Sequence, residues 1–128
     1  MVSIVIISHS KKIAEGVVEL AKQMASQVQI TSCGGTKDNQ IGTDLDLILK
    51  AINKVWSQDG VLILFDLGSA LMNAEMAVEM LDNNKKANVK IIDVALVEGA
   101  ILAAVNSSMN KSLDEIIKEL EVLKLNKF

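Results

Sequence analysis

The stretch Val2-Ser3-Ile4-Val5-Ile6-Ile7-Ser8-His9-Ser10 opens the chain with an almost unbroken run of Val and Ile that stops abruptly in polar residues. Such a run, too short for a helix and apolar on both faces, reads as a strand buried in a parallel sheet. A second run of the same kind lies at Gly60–Phe65, and weaker ones at Val28–Ser32 and Lys90–Ala95. In Val28–Ser32, Val28 and Ile30 alternate with Gln27, Gln29 and Thr31, which suits an edge position. Between the runs lie helical patterns. Ser10 can cap a helix carrying Ile13, Val17, Leu20 and Met24, and Thr43 one carrying Leu45, Ile48, Leu49, Ile52 and Val55. Ser69 can cap a third, with Met72, Met76 and Met80 on one face, forming core or interface. A shorter helix is expected over Ala100–Asn106, and Ser112-Leu113-Asp114-Glu115 is a capping box opening a last one. Asp82–Lys86 and Asn106–Lys111 read as polar turns. Strand then helix, repeated four times, predicts an α/β fold, a doubly wound parallel sheet with helices on both faces; an α+β fold with one strand misplaced is the alternative.

Composition narrows the rest. The 128 residues are 50% hydrophobic and 23% charged, which fits one globular domain, residues 1–128. Aromatic residues are only 2% and the net charge is −3, so neither a base-stacking platform nor a phosphate-backbone footprint is present and no nucleic-acid partner is expected. A single Cys and a single His exclude an internal disulfide and a zinc site of the usual kind, and no metal is expected. The apolar start is short, lacks a basic flank and runs into His9, so it is not a signal peptide, and no run approaches membrane-spanning length. The expected setting is the cytoplasm, with no membrane partner.

In an open α/β sheet, ligands bind beyond the carboxyl ends of the strands. The residues after the four runs are Ser8-His9-Ser10, Cys33-Gly34-Gly35-Thr36, Asp66-Leu67-Gly68-Ser69 and Leu96-Val97-Glu98-Gly99, with Gly42-Thr43 opening a helix. Imidazole is nucleophilic near neutral pH, so His9 at a strand end is a candidate nucleophile, although a lone His is often a bystander. With strand order 2-1-3-4, Asp66 would sit on the loop next to His9 and could hold one ring nitrogen, freeing the other; otherwise it is an ordinary strand-end or capping residue. Glycine at a helix entrance lets backbone N–H groups approach an anion, which marks Gly68-Ser69 and Gly34-Gly35-Thr36. Cys33 reads as small filler and Glu98 as a solvated or capping residue. No P-loop, G-x-G-x-x-G fingerprint or G-x-S-x-G elbow is present. A histidine nucleophile beside anion-binding loops remains, and phosphoryl transfer through phosphohistidine fits it.

The opening stretch resembles the mannose-type enzyme IIA domains of the bacterial phosphoenolpyruvate:sugar phosphotransferase system. Gly34-Gly35-Thr36, Ile41-Gly42-Thr43, Phe65-Asp66-Leu67-Gly68-Ser69-Ala70 with Asn73 and Glu75, and Val97-Glu98-Gly99-Ala100 narrow the resemblance to the branch that serves dihydroxyacetone kinases. It covers nearly the whole chain and weakens after Asn106. It implies a sheet of order 2-1-3-4, a homodimer, and His9 as carrier of a phosphoryl group taken from HPr. The group would pass to ADP held on the kinase subunit DhaL, so that no cofactor is bound by this chain itself. Asp66 would bond the other nitrogen of His9, and Gly34, Gly35, Thr36, Thr43, Gly68 and Ser69 would line the phosphate pocket. Because the sequence ends at Phe128, HPr is expected as a separate protein. A sugar transporter's free-standing enzyme IIA and a non-catalytic anion-binding regulatory module are the alternatives.

Overall fold

A computed structural model describes residues 1–127. Four strands, β1 Ser3–Ser8, β2 Ile30–Gly34, β3 Val61–Phe65 and β4 Val89–Ile92, form one parallel sheet in the order β2-β1-β3-β4. The helices are α1 Lys11–Met24, α2 Leu45–Val55, α3 Ala70–Glu79, α4 Asn83–Lys86, α5 Leu96–Ser108 and α6 Leu113–Leu120, followed by a 3-10 turn at Glu121–Leu123.

The sheet has a core on each face because β1 and β3 are apolar at every position but their ends. Ile4, Ile6, Leu62 and Leu64 point toward α1, α5 and α6. Val5, Ile7, Val61, Ile63 and Phe65 point toward α2 and α3. All four of Ile4, Val5, Ile6 and Ile7 are fully buried, and each such side chain contributes about 1.5–3 kcal/mol of transfer free energy. Neighbouring β1 and β3 at the centre of the sheet is thus what the two near-continuous runs demand. The weaker β2 and β4 take the edges.

Several details depart from expectation. Along α1 the buried residues are Ala14, Val17, Val18 and Ala21, while Ile13, Leu20 and Met24 face solvent. Along α3 the buried stripe is Ala70, Ala74 and Ala77, and Met72, Met76 and Met80 are all more than half exposed, so they are not core. The cause is the same in both helices. The strands supply bulky side chains, and alanine on the facing helix lets the layers close to packing density. The N-cap of α2 is Asp44, not Thr43: the Asp44 carboxylate accepts from the Leu47 N–H at 3.0 Å. Ser10 does cap α1, and Ser112 and Glu115 close the expected capping box. Asp82–Lys86 is not a turn but the short α4 with its cap, and α5 starts at Leu96 and runs through Asn106 to Ser108. Its apolar small residues run past the predicted Ala100–Asn106 limits, and Asn106 stays inside by donating its amide to Leu102 O at 2.8 Å. Finally, the segment after the 3-10 turn pairs antiparallel with the chain beyond β4, through a Val94–Lys124 bridge that no periodicity signalled.

Candidate phosphoryl-transfer site

The register of the central pair brings the site together. Ile7 lies opposite Phe65 and Ser8 opposite Gly34. The residues that follow, His9 and Asp66, therefore leave the sheet side by side at its carboxyl end. The Asp66 N–H still bonds Ile7 O at 3.1 Å, and the Gly35 N–H bonds Ser8 O at 3.2 Å. The backbone on both flanks of His9 is thus tied to strands that are buried on both faces.

Asp66 is the hub. Its Oδ2 accepts from the Ser8 hydroxyl at 2.7 Å and from the His9 N–H at 2.9 Å. Its Oδ1 accepts from the Leu67 N–H at 2.6 Å and faces His9 Nδ1 at 3.0 Å. Burial pushes the Asp66 carboxyl up, but the donors from His9, Ser8 and Leu67 outweigh it and hold the group below its ordinary range. An ionised carboxylate accepts only, so Nδ1 carries the ring proton and Nε2 is left with its lone pair. The Ser69 hydroxyl, 2.7 Å from Nε2, then donates to it. The His9 and Asp66 side chains are only 18% and 16% exposed, yet Ser69 at the Nε2 side lies on the surface. The arrangement offers one basic nitrogen, fixed in direction, to a reactant arriving from solvent.

The remaining predicted residues divide. Ser69 is at the nucleophilic nitrogen, although it makes no side-chain cap to α3. Gly68 precedes it in the same entry turn, its carbonyl accepting from the Leu71 N–H. Gly42 donates its N–H to His9 O at 2.9 Å, which brings Thr43 beside the site, where its hydroxyl oxygen accepts from Asn73 Nδ2 at 2.8 Å. Gly35 takes a left-handed φ of 74°, a conformation glycine adopts without strain. Gly34 serves packing: a Cβ there would stand 2.6 Å from Ser10 O and 2.7 Å from Lys11 Cα. Thr36 turns its hydroxyl to the Gln40 N–H within its own loop. Gly34 and Thr36 also line a cleft with Lys11, Lys37, Lys50 and Lys54, between β2 and α2. Glu98 lies exposed in the first turn of α5. Cys33 is buried, and burial, with a smaller push from Asp44, raises its thiol to about 11. Sequence reasoning missed Ser8, whose only signal was a polar residue closing an apolar strand, and Asn73, which was noted only as part of the resemblance.

A two-layered α/β sheet with a surface histidine held by a carboxylate on the adjacent loop defines a carrier of the phosphotransferase type. The sequence model of the family described as PTS system fructose IIA component, the mannose-type enzyme IIA group, matches residues 3–117, and the chain belongs to that family. Within it, the chain is 43% identical over 121 residues to the phosphoryl donor subunit DhaM of a phosphoenolpyruvate-dependent dihydroxyacetone kinase from Listeria innocua, covering 94% of this chain and 97% of that one. It is 36% identical to the DhaM phosphotransferase subunit of Lactococcus lactis, covering 97% of both. The Escherichia coli DhaM is 40% identical, but there the match spans 26% of the relative's length. Among solved structures, the protein of unknown function EF1359 superposes with a TM-score of 0.85 at 31% identity, over 100% of this chain and 99% of that one. A phosphotransferase system component EIIA from Streptococcus agalactiae shares the fold, with a TM-score of 0.70 at 18% identity over 95% of this chain.

Proposed function

We propose that this chain is the phosphoryl donor subunit of a phosphoenolpyruvate-dependent dihydroxyacetone kinase and carries the phosphoryl group on His9 Nε2. The observation that supports this most directly is the pair of contacts on the ring: Asp66 takes Nδ1 and leaves Nε2 as the free base. In the charging step the Nε2 lone pair attacks phosphorus in line while the bond from phosphorus to the donor's nitrogen breaks. The phosphoryl group replaces the Ser69 hydroxyl at Nε2, and that hydroxyl is then placed to donate to a phosphoryl oxygen. The Nδ1 proton stays in place throughout, and the Asp66 carboxylate balances the positive charge that develops on the ring. Discharge reverses these events toward the acceptor.

The donor in this reading is the phosphohistidine protein HPr, and the acceptor is ADP bound to DhaL. Residues 1–128 act as one carrier domain, as a homodimer, in the cytoplasm. Among the described residues no helix is long and apolar enough to cross a membrane, and His9 would meet both partners from the solvent side. Gly42, Thr43, Gly68 and Ser69 surround the position the phosphoryl group would take, whereas Gly34, Gly35 and Thr36 shape the neighbouring loop.

The test is an intact-mass assay with phosphoenolpyruvate, enzyme I and HPr. One acid-labile phosphoryl group is expected on the wild type and none on His9→Gln, and DhaL–ADP should discharge it. A label that only a sugar-transport enzyme IIB discharges would identify a free-standing enzyme IIA, and no label would leave a non-catalytic anion-binding module.

A further inference from the structure

Lys127 lies far along the chain from the site, yet the fold delivers it behind Asp66. The segment that follows the 3-10 turn runs beside the chain beyond β4. The Ala95 N–H bonds Leu123 O at 3.0 Å and the Leu125 N–H bonds Asp93 O at 3.1 Å. The Lys127 N–H then bonds Asp93 Oδ2 at 2.9 Å. From this anchor the side chain turns inward, its Nζ donating to Phe65 O and lying 4.4 Å from the centre of the Phe65 ring. Phe65 is the residue immediately before Asp66.

This is an unusual use of a lysine. The Lys127 and Asp93 side chains are only 13% and 12% exposed. Asp93 Oδ1, buried and without a hydrogen bond, faces the ammonium at 3.7 Å. Burying an ammonium is costly unless it is paired and hydrogen-bonded, and a surface lysine would have served the tail equally well. The ammonium is also in the field of Asp66: burial pushes it down, and Asp93 and then Asp66 push it back up.

Phosphorylation of His9 makes that cation useful. A phosphoryl group adds about −1.5 to −2 charges beside an ionised carboxylate. We infer that Lys127 is a positioning residue for the His9–Asp66 pair, its ammonium offsetting the negative charge that Asp66 and the phosphoryl group bring together. This rests on the carrier reading for its purpose, while the electrostatic link itself does not. The charged groups around the ammonium are Asp93, paired with it, and Asp66, one residue beyond the carbonyl it bonds.

The experiment follows the ring nitrogens of His9 by 15N NMR against pH, and separately the fraction phosphorylated at a fixed ratio of phospho-HPr to HPr. Lys127→Met keeps the apolar stem and removes the charge. The site becomes more negative, so the titration curve should move to higher pH by roughly half a unit, the size of one charge acting across a partly screened site. The equilibrium charging ratio should fall about threefold, the same shift read as an equilibrium constant. Lys127→Arg should restore both. Asp93→Asn, which keeps an acceptor for the Lys127 N–H and leaves the cation uncompensated, should move the curve the opposite way, and it decides the matter if Lys127→Met does not fold. Superimposable curves for folded wild type and Lys127→Met, or an Arg variant displaced as far as Met, would overturn the inference. If no protein is phosphorylated at all, the carrier reading fails while the titration still tests the link.

Discussion

Replacing Asp66 by Asn tests the site at its hub. The carboxylate takes four donors: the Ser8 hydroxyl and the His9 N–H on Oδ2, and the Leu67 N–H and His9 Nδ1 on Oδ1. An amide has one oxygen, so whichever way it turns, two of these donors meet an NH2 group. Each donor left unsatisfied costs about 1–3 kcal/mol. Relief at the Oδ1 side is open only to the ring, which can accept from the amide if its proton moves to Nε2. That removes the lone pair that attacks phosphorus. In sites built on the same His–carboxylate logic, loss of the right tautomer slows reaction by about 10⁴-fold. We therefore expect Asp66→Asn to lower stability by about 2–4 kcal/mol, as two unsatisfied donors require. Phosphoryl transfer should slow by at least about 10²-fold, part of the tautomer penalty being recovered by ring motion. Quenched-flow intact mass gives the rate, chemical denaturation the stability, and 15N shifts the protonated nitrogen. A proton still on Nδ1, with transfer within about threefold of wild type, would refute the tautomer argument.

Ser8→Ala removes a donor from Oδ2 and an acceptor from the Ser10 N–H; we expect a loss of about 1–3 kcal/mol and a transfer rate reduced less than by Asp66→Asn, measured side by side. Gly34→Ala should lower the melting temperature because its Cβ presses on the start of α1, and an unchanged melting temperature with weaker phosphate binding would instead assign Gly34 to the ligand. Cys33, with its thiol raised to about 11 by burial, should resist iodoacetamide at pH 8 in the folded protein and react on unfolding. Asp66 is held below its ordinary range when folded. Its contribution to stability is therefore complete above the unfolded value near pH 4 and declines as pH falls through the depressed one. Asp66→Asn should flatten that part of the acid limb, and an identical acid limb in both proteins would contradict the assignment.

The fold was legible where the chemistry is local and redundant. Two runs of Val, Ile and Leu could only be central parallel strands, and the strand order followed once their polar ends had to share one edge. Helix faces were less legible because α1, α3 and α5 bury alanine. A reading weighted by side-chain size chooses the methionines of α3, whereas close packing against bulky strands selects the small residues. His9, Asp66 and Ser69 were each marked by position after a strand or at a helix entrance. Ser8 was not, since a serine closing a strand carries no signal until the partner strand places a carboxylate beside it. Thr43 and Asp44 are both good caps, and only the three-dimensional path of the loop decided that Asp44 caps while Thr43 meets Asn73. Lys127 was invisible because its partners, Phe65 and Asp93, are 62 and 34 residues away in sequence.

The ties of the His9 loop to Ile7 O and Ser8 O give the site a mechanical character. These carbonyls belong to the most deeply buried strand, so the amides of Asp66 and Gly35 can be released only when the sheet itself opens. Such amides exchange with solvent through global rather than local unfolding. The histidine is mounted on a rigid post and does not travel to meet its partners. A carrier built this way accepts and delivers its cargo in one fixed pose, and the movement needed for each handover falls to the proteins that visit it.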